Sequence, residues 1–212
     1  MQKRTALKER ASAEPAERTG TRALLIEAGT RTMLEKGYNN AGIAEVLQVA
    51  GVPKGSFYYY FESKEDFGLQ IINAFDEQRN AVLDRFLNDK SKPPLQRLRA
   101  WCEDRRTYHQ SAKCRTGCLI GTLSQEMAAQ NEVFRARLEE VLTRWRNKFA
   151  ACFGEAQLQG QISKEFDPVD LAEFFLSAWD GSVMRSKIEK NTGPQEVFIR
   201  VMFDNMLKSR GK

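Results

Sequence analysis

Apolar residues recur at three- and four-residue spacing along most of the chain, and no stretch alternates with period two. The pattern predicts an all-α protein of about nine helices. Thr21 to Lys36 reads as the first helix. Ala23, Leu24, Ile26, Ala28, Thr32, Met33 and Leu34 form its inward face, and Gly37 ends it. Asn40 is placed to cap a second helix with Ile43, Val46 and Leu47 on one side. Gly51 closes that helix where positive φ is needed, and a third helix is expected over about Pro53 to Phe61. Nine residues are too few for a stable isolated helix, so Phe57 and Phe61, four apart, must pin it by packing. Ser63 caps a long helix from Lys64 to Phe86 or beyond, with Phe67, Ile71, Ala74 and Phe75 inward.

Breakers divide the remainder. Asn88 to Pro94 interrupts the pattern. Further helices are expected over Pro94 to about Gln110, Cys118 to Ala129 and Glu132 to Phe153, with Ser111–Gly117 as a charged joint and Gly154–Ile162 as a loop. Asp167-Pro168 has the order of a cap followed by an N1 proline, opening a helix to Glu189. Pro194 starts the last, through Leu207.

The outward side of the third helix carries Lys54, Gly55, Ser56, Tyr58, Tyr59 and Tyr60, a small, cationic, hydroxyl-rich face. Nine residues at ~1.5 Å rise make a rod of ~13 Å, which suits a major groove ~12 Å wide. The string GVPKGSFYYYFESKED closely resembles the DNA-binding signature of the TetR-type transcriptional regulators, and the match covers about Arg18 to Phe75. The resemblance implies a helix-turn-helix domain over residues 18–64, its motif at about 41–60, and a regulatory and dimerisation domain over 65–212. Lys54 and Lys64 are then expected on phosphates. Gly55 and Ser56 permit close approach to bases, and Tyr58 and Tyr59 supply phosphate hydrogen bonds and thymine-methyl contacts. Tyr60 stands where relatives often carry histidine. Ala41 and Gly42 stand where relatives often carry Thr or Ser, so that phosphate contact passes to Asn40 or to the backbone at Gly42 or Ile43.

Composition adds a modest electrostatic argument. The net charge is +5; Met1–Lys64 carries ten Lys/Arg against seven Asp/Glu, and the other 148 residues 23 against 21. The excess is densest beside the reading helix, as phosphate binding requires. Residues 1–17 read as a flexible basic tail with Lys3, Arg4, Lys8 and Arg10, open to the reading of an arm that orders on DNA. The first twenty residues lack the apolar run of a secretory signal, and no segment is apolar enough to span a bilayer, so a cytoplasmic location is expected with no membrane partner. Four cysteines without a CxxC pair and one histidine give no zinc ligand set, and no cofactor is expected.

For the second domain the resemblance implies homodimerisation through the last two long helices and an inducer pocket in the helical core. Phe174, Phe175, Phe198, Met202, Phe203 and Met206 are the dimer candidates, and each equally suits an intramolecular core. Trp101, Tyr108, Trp179 and Met184 are candidates to line the pocket, with Arg105 or Arg185 for an anion. Lys113 to Ile120 is the sharpest segment. With Thr116 as cap, Cys118 would sit in the first turn, where the helix dipole, Lys113 and Arg115 would lower its pKa. Gly117-Cys118-Leu119 also resembles the matching segment of the NemR and AcuR type of TetR regulators, which respond to reactive electrophiles or small unsaturated acids. Lys187 is its candidate partner, and a buried structural thiol is the competing reading. The functional expectation is a DNA-binding regulator and repressor that holds a palindromic operator in double-stranded DNA as a dimer. A small-molecule inducer or electrophile then releases it. The alternatives are a cysteine-dependent thiol enzyme using Cys118 and His109, or a constitutive DNA-binding protein without an inducer.

Overall fold

The computed structural model describes residues 15–207. Among them all regular structure is helical: α1 (Pro15–Asn40), α2 (Ile43–Ala50), α3 (Phe57–Tyr60), α4 (Lys64–Leu87), α5 (Pro94–Ser111), α6 (Leu119–Met127), α7 (Glu132–Leu158), α8 (Pro168–Glu189) and α9 (Gly193–Ile199). A π-helical stretch, Arg200–Met206, continues α9. The chain divides into two compact units after Ala74, inside α4. The expected basic tail lies outside the described residues up to residue 14, and from Pro15 the backbone is already helical.

In the first unit α1 turns its stripe of Leu25, Ala28, Thr32 and Met33 inward, so Leu24, expected inside, is half exposed. Leu25 is the residue in phase with the i, i+3, i+7 ridge. Gly29 lies on that ridge because a Cβ there would come 2.6 Å from Cδ1 of Ile71 and closer still to the Phe67 ring. Gly37, at φ 80° and ψ 174°, leaves the helical conformation and ends the first straight segment of α1 as expected, with a short helical stretch following to Asn40. Gly51 is left-handed at φ 66° and ψ 27°, and its N–H closes α2 as the pattern required. The third helix is much shorter than expected. Pro53–Gly55 stays in turns, Ser56 N–H donates to Pro53 O at 3.0 Å, and α-helix begins only at Phe57. Packing holds it: Phe57 and Phe61 are buried, and their rings stand 5.1 and 4.6 Å from that of Phe67. Ser63 caps α4, accepting from Asp66 N–H at 3.0 Å.

In the second unit Asp167 caps α8 as expected, accepting from Val169 N–H at 2.7 Å. The loop expected over Gly154–Ile162 begins only after Leu158, because buried Cys152, Phe153, Ala156 and Gln157 carry the inward stripe on to the end of α7. Phe175 lies at the centre of an aromatic core, 4.9 Å from Phe149, 6.1 Å from Trp101 and 5.2 Å from Phe198. Two ionic contacts sit inside this packing. Arg97, 1% exposed, donates to Leu87 O and to Glu155, each at 2.5 Å. Asp76 on α4, also 1% exposed, accepts from Trp145 Nε1 at 2.8 Å, Arg144 at 2.5 Å and Asn80 at 2.5 Å.

A buried carboxylate so bonded fixes the rotation of α4 about its axis, and its removal strands a buried indole N–H. Asp76→Ala is expected to cost about 3 kcal/mol. Chemical denaturation reads this as a lowered midpoint at unchanged slope; an unchanged midpoint would show that α4 is held by apolar packing alone.

Candidate nucleic-acid interface and effector cavity

The reading face comes from the short third helix and the turn before it. Tyr58 is 72% exposed and Tyr59 43%, while Lys54 and Gly55 are exposed and Ser56 and Tyr60 half-buried. One α-helical turn thus buries Phe57 and turns two phenols outward. The Tyr59 and Tyr60 rings meet edge to face at 5.0 Å, which stiffens that surface. Gly42 is the exposed N-cap of α2 and has no side chain to offer. Asn40 does not cap that helix; its amide donates back to Lys36 O at 3.2 Å. Lys64 donates to Asn39 O at 3.2 Å and lies 4.7 Å from the Tyr38 ring centroid, so it ties the end of α1 to the start of α4.

The second unit encloses a cavity of about 50 Å³ between α4, α5, α7 and α8, room for about three or four waters. Trp101, Trp145, Trp179, Phe149, Phe75, Leu83, Leu176 and Val183 form its apolar wall, and Arg79, Arg105, His109, Cys118 and Asp180 face it as polar groups. Of the expected pocket residues, Trp101, Trp179 and Cys118 are in place. Tyr108 is not in the lining; its ring lies outside under Arg79 and Arg105, 5.1 and 5.2 Å away. Met184 is half exposed and also outside the lining. Lys187 does not line the cavity, yet its Cδ would lie 3.8 Å from a Cβ on Gly117, beside Cys118. Arg185 pairs with Glu189 at 2.7 Å, away from the cavity.

The joint before α6 aims Cys118. Lys113 and Cys114 both take left-handed backbone, φ 52° and 50°, which is unfavourable for side chains with a Cβ. Cys114 N–H closes α5 on His109 O at 2.8 Å. Cys118 itself is the N-cap of α6, not Thr116, and makes no side-chain cap bond. Its pKa is not lowered. Burial pushes the thiol up to about 12, with the Asp180 carboxylate adding to the rise, and the N–H groups of Gly121 and Ile120 only partly offset it. At neutral pH the sulfur is therefore a protonated thiol.

The other charges are equally constrained. Burial lowers the His109 pKa to about 4, with Arg79 and Arg105 adding to the fall and Gln195 opposing it, so the ring is neutral; Gln195 Nε2 and its Nδ1 stand 2.7 Å apart. Burial and the neighbouring Arg105 depress Arg79, which forms no ion pair among the described residues. Arg105 is paired with Asp104. Burial raises Asp180 from 3.8 to about 6.

Two family descriptions match the chain. Residues 25–71 fit "Bacterial regulatory proteins, tetR family", and residues 94–202, over half the chain, fit "Tetracyclin repressor-like, C-terminal domain". The chain belongs to the TetR family of transcriptional regulators. It is 43% identical over 176 residues to transcriptional regulator AcuR of Cereibacter sphaeroides, covering 83% of this chain and 80% of that protein. It is 36% identical over 196 residues to the transcriptional repressor DhaR of a Mycobacterium species, covering 91% and 95%. A crystal structure of regulatory protein TetR from Rhodobacter sphaeroides superposes at a TM-score of 0.83 with 42% identity, over 86% of this chain and 96% of that one. The likeness expected from Gly117-Cys118-Leu119 is thus found with AcuR, and this TetR-family chain is a DNA-binding regulator with a helical C-terminal domain. No helix among its described residues is long and apolar enough to cross a membrane.

In this TetR-family regulator the six dimer candidates separate. Phe175, Phe198 and Met202 are buried within the protomer and serve its own core, and Phe203 is half-buried. Phe174 and Met206 are more than half exposed, and with Val197 and Val201 they border an apolar groove of about 540 Å³ along α8 and α9. Three cavity groups escaped the sequence reading: Arg79, Asp180 and Trp145. Each carries a legible signal. Phe75, Arg79 and Leu83 repeat at four-residue spacing, and Asp180 interrupts the stripe from Leu176 to Val183.

Asp180 binds its proton more tightly in the folded chain, so stability falls as pH rises from about 3.8 to about 6 and is level above. Asp180→Asn removes that cost. It is expected to stabilise the protein by about 3 kcal/mol at neutral pH, with the gain vanishing as pH approaches the unfolded value. Thermal melts across pH check this; an equal gain at all pH values would contradict it.

Proposed function

We propose that this protein is a cytoplasmic repressor that binds a palindromic operator as a homodimer and leaves it when a small effector occupies the cavity beside Cys118. The observation that carries the reading is the pairing, in a TetR-family chain, of an exposed Tyr58–Tyr59 face with an enclosed cavity holding a thiol and two guanidiniums. Lys54 and the two phenols serve phosphates and thymine methyls, with Gly55 and Ser56 leaving room for base edges. The backbone N–H at Gly42 serves a phosphate, and Tyr60 supports the edge of the same face. Asn40 and Lys64 act at one remove, by fixing the end of α1.

The groove bordered by Phe174, Val197, Val201 and Met206 is the dimer surface, since so large an apolar face is uncommon on a monomer. Two heads are needed because one reading helix contacts too few base pairs for operator specificity. The cavity admits only a handful of non-hydrogen atoms, and the guanidiniums favour a carbonyl or carboxylate oxygen. An electrophile of that size would meet Cys118 at the N-cap of α6, with Lys187 passing over Gly117. Effector binding acts by preferring one of two dimer arrangements, so release needs differential affinity and no new contact to DNA.

Lys54→Ala and Tyr59→Phe are each expected to weaken operator binding about tenfold, about 1.4 kcal/mol, with Lys54→Ala reducing the salt slope by about one. Mobility-shift titrations at several salt concentrations measure both, and wild-type affinity in both variants would contradict the interface. Cys118→Ser is expected to bind operator normally and to resist release by methyl vinyl ketone. Release of that variant at wild-type ketone concentrations would remove the thiol from the signal.

A further inference from the structure

A protonated thiol adds slowly to a carbon electrophile, because the thiolate is the nucleophile. Something in the cavity must therefore accept its proton. We propose that Asp180 is the proton acceptor for Cys118 when that thiol adds to a small α,β-unsaturated carbonyl compound in the cavity. The inference rests on the reading of Cys118 as the sensor.

The geometry leaves one acceptor. Asp180 and Cys118 lie on the wall of the same cavity of about 50 Å³, close enough for the carboxylate to act on the thiol. Asp180 is half-buried, and its side chain accepts no hydrogen bond and forms no ion pair among the described residues. Partial burial of a carboxylate without an ion pair is costly, and no structural partner among the described residues accounts for it. The other polar groups of the lining are unsuited. Arg79 and Arg105 hold only donors. His109 is a weak base at about 4, and its Nδ1 is already engaged with Gln195 Nε2 at 2.7 Å. Lys187 is not in the lining.

Asp180 also borders a second hollow, an outer groove of about 420 Å³ between the end of α6, α7 and α8. Arg135, Arg146, Glu139 and Glu173 face it there, with Arg146 and Glu173 paired at 3.6 Å. Asp180 thus borders both the reaction cavity and a groove open to solvent.

The step balances without an oxidant or reductant. The Cys118 S–H proton passes to the Asp180 carboxylate as the sulfur–carbon bond forms at the β-carbon. The C=C π pair moves toward the carbonyl, and the enolate oxygen is stabilised by the Arg79 and Arg105 guanidiniums. The α-carbon then takes a proton from the Asp180 carboxylic acid, and the carbonyl re-forms. The net change is addition of S–H across C=C, and the carboxylate is regenerated.

The test separates two roles with opposite signs. A carboxylate that only perturbs the thiol holds the thiolate down, so its neutralisation would speed modification. A proton acceptor, when removed, slows it. The rate of Cys118 modification by methyl vinyl ketone is measured by peptide mass spectrometry against pH, in the wild type, Asp180→Asn and Asp180→Glu, with melting curves confirming folded protein. The wild type is expected to show a rise centred near pH 6. Asp180→Asn is expected to lose that inflection and to react about 100-fold more slowly near neutral pH, with partial recovery in Asp180→Glu. A rate in folded Asp180→Asn equal to or above the wild type overturns the inference and leaves the sensor reading standing. Asp180-dependent modification without any loss of operator affinity keeps the proton acceptor and removes the sensor. No Cys118 adduct in the wild type removes both.

Discussion

The Asp76 carboxylate is the constraint on which the regulatory unit depends. Its bonds to Trp145, Arg144 and Asn80 fix the phase of α4, and the residue one position before it and the one three after it, Phe75 and Arg79, face the cavity. A rotation of α4 by one residue, about 100°, would carry Arg79 out of the lining. Trp145 serves twice, bonding Asp76 through its N–H and walling the cavity with its ring. The same helix carries Phe67, whose ring packs on Phe57 in the third helix and on Phe61 at its end. One continuous helix thus carries Phe75 and Arg79, which line the cavity, and Phe67, which packs under Phe57.

The cavity differs from an inert core by its unpaired charges. Arg97 and Asp76 are more deeply buried than Arg79 and Asp180, and each is held by an ion pair. Arg79 and Asp180 face one small space and form no ion pair with each other or any described residue. Their desolvation cost is tolerable only if water or an effector meets them part of the time. The thiol follows the same logic. An apolar wall and a nearby carboxylate keep Cys118 protonated at rest, which protects it from indiscriminate oxidation and reserves its chemistry for molecules small enough to enter.

Caps and breakers made most of the fold legible. Gly51, Ser63 and Asp167-Pro168 each close or open a helix where the pattern placed them. The reading helix was overestimated because Pro53-Lys54-Gly55 has helical spacing around it but prefers turns, and only Phe57 packing rescues four residues. The dimer candidates were half legible. Composition marks aromatics on α8 and α9, yet only three-dimensional phase separates buried Phe175 from exposed Phe174. The Cys118 environment was least legible. The dipole argument depends on local sequence, whereas the upward shift comes first from burial by walls that four helices supply and then from Asp180, 62 residues along the chain.

The central claim is that chemistry at Cys118 is transmitted to the DNA-reading face. Its most direct test follows operator affinity by fluorescence anisotropy while intact-protein mass spectrometry counts adducts during exposure to methyl vinyl ketone. The account predicts that affinity falls in proportion to the fraction of Cys118 modified. Complete modification of Cys118 with operator affinity unchanged would contradict it.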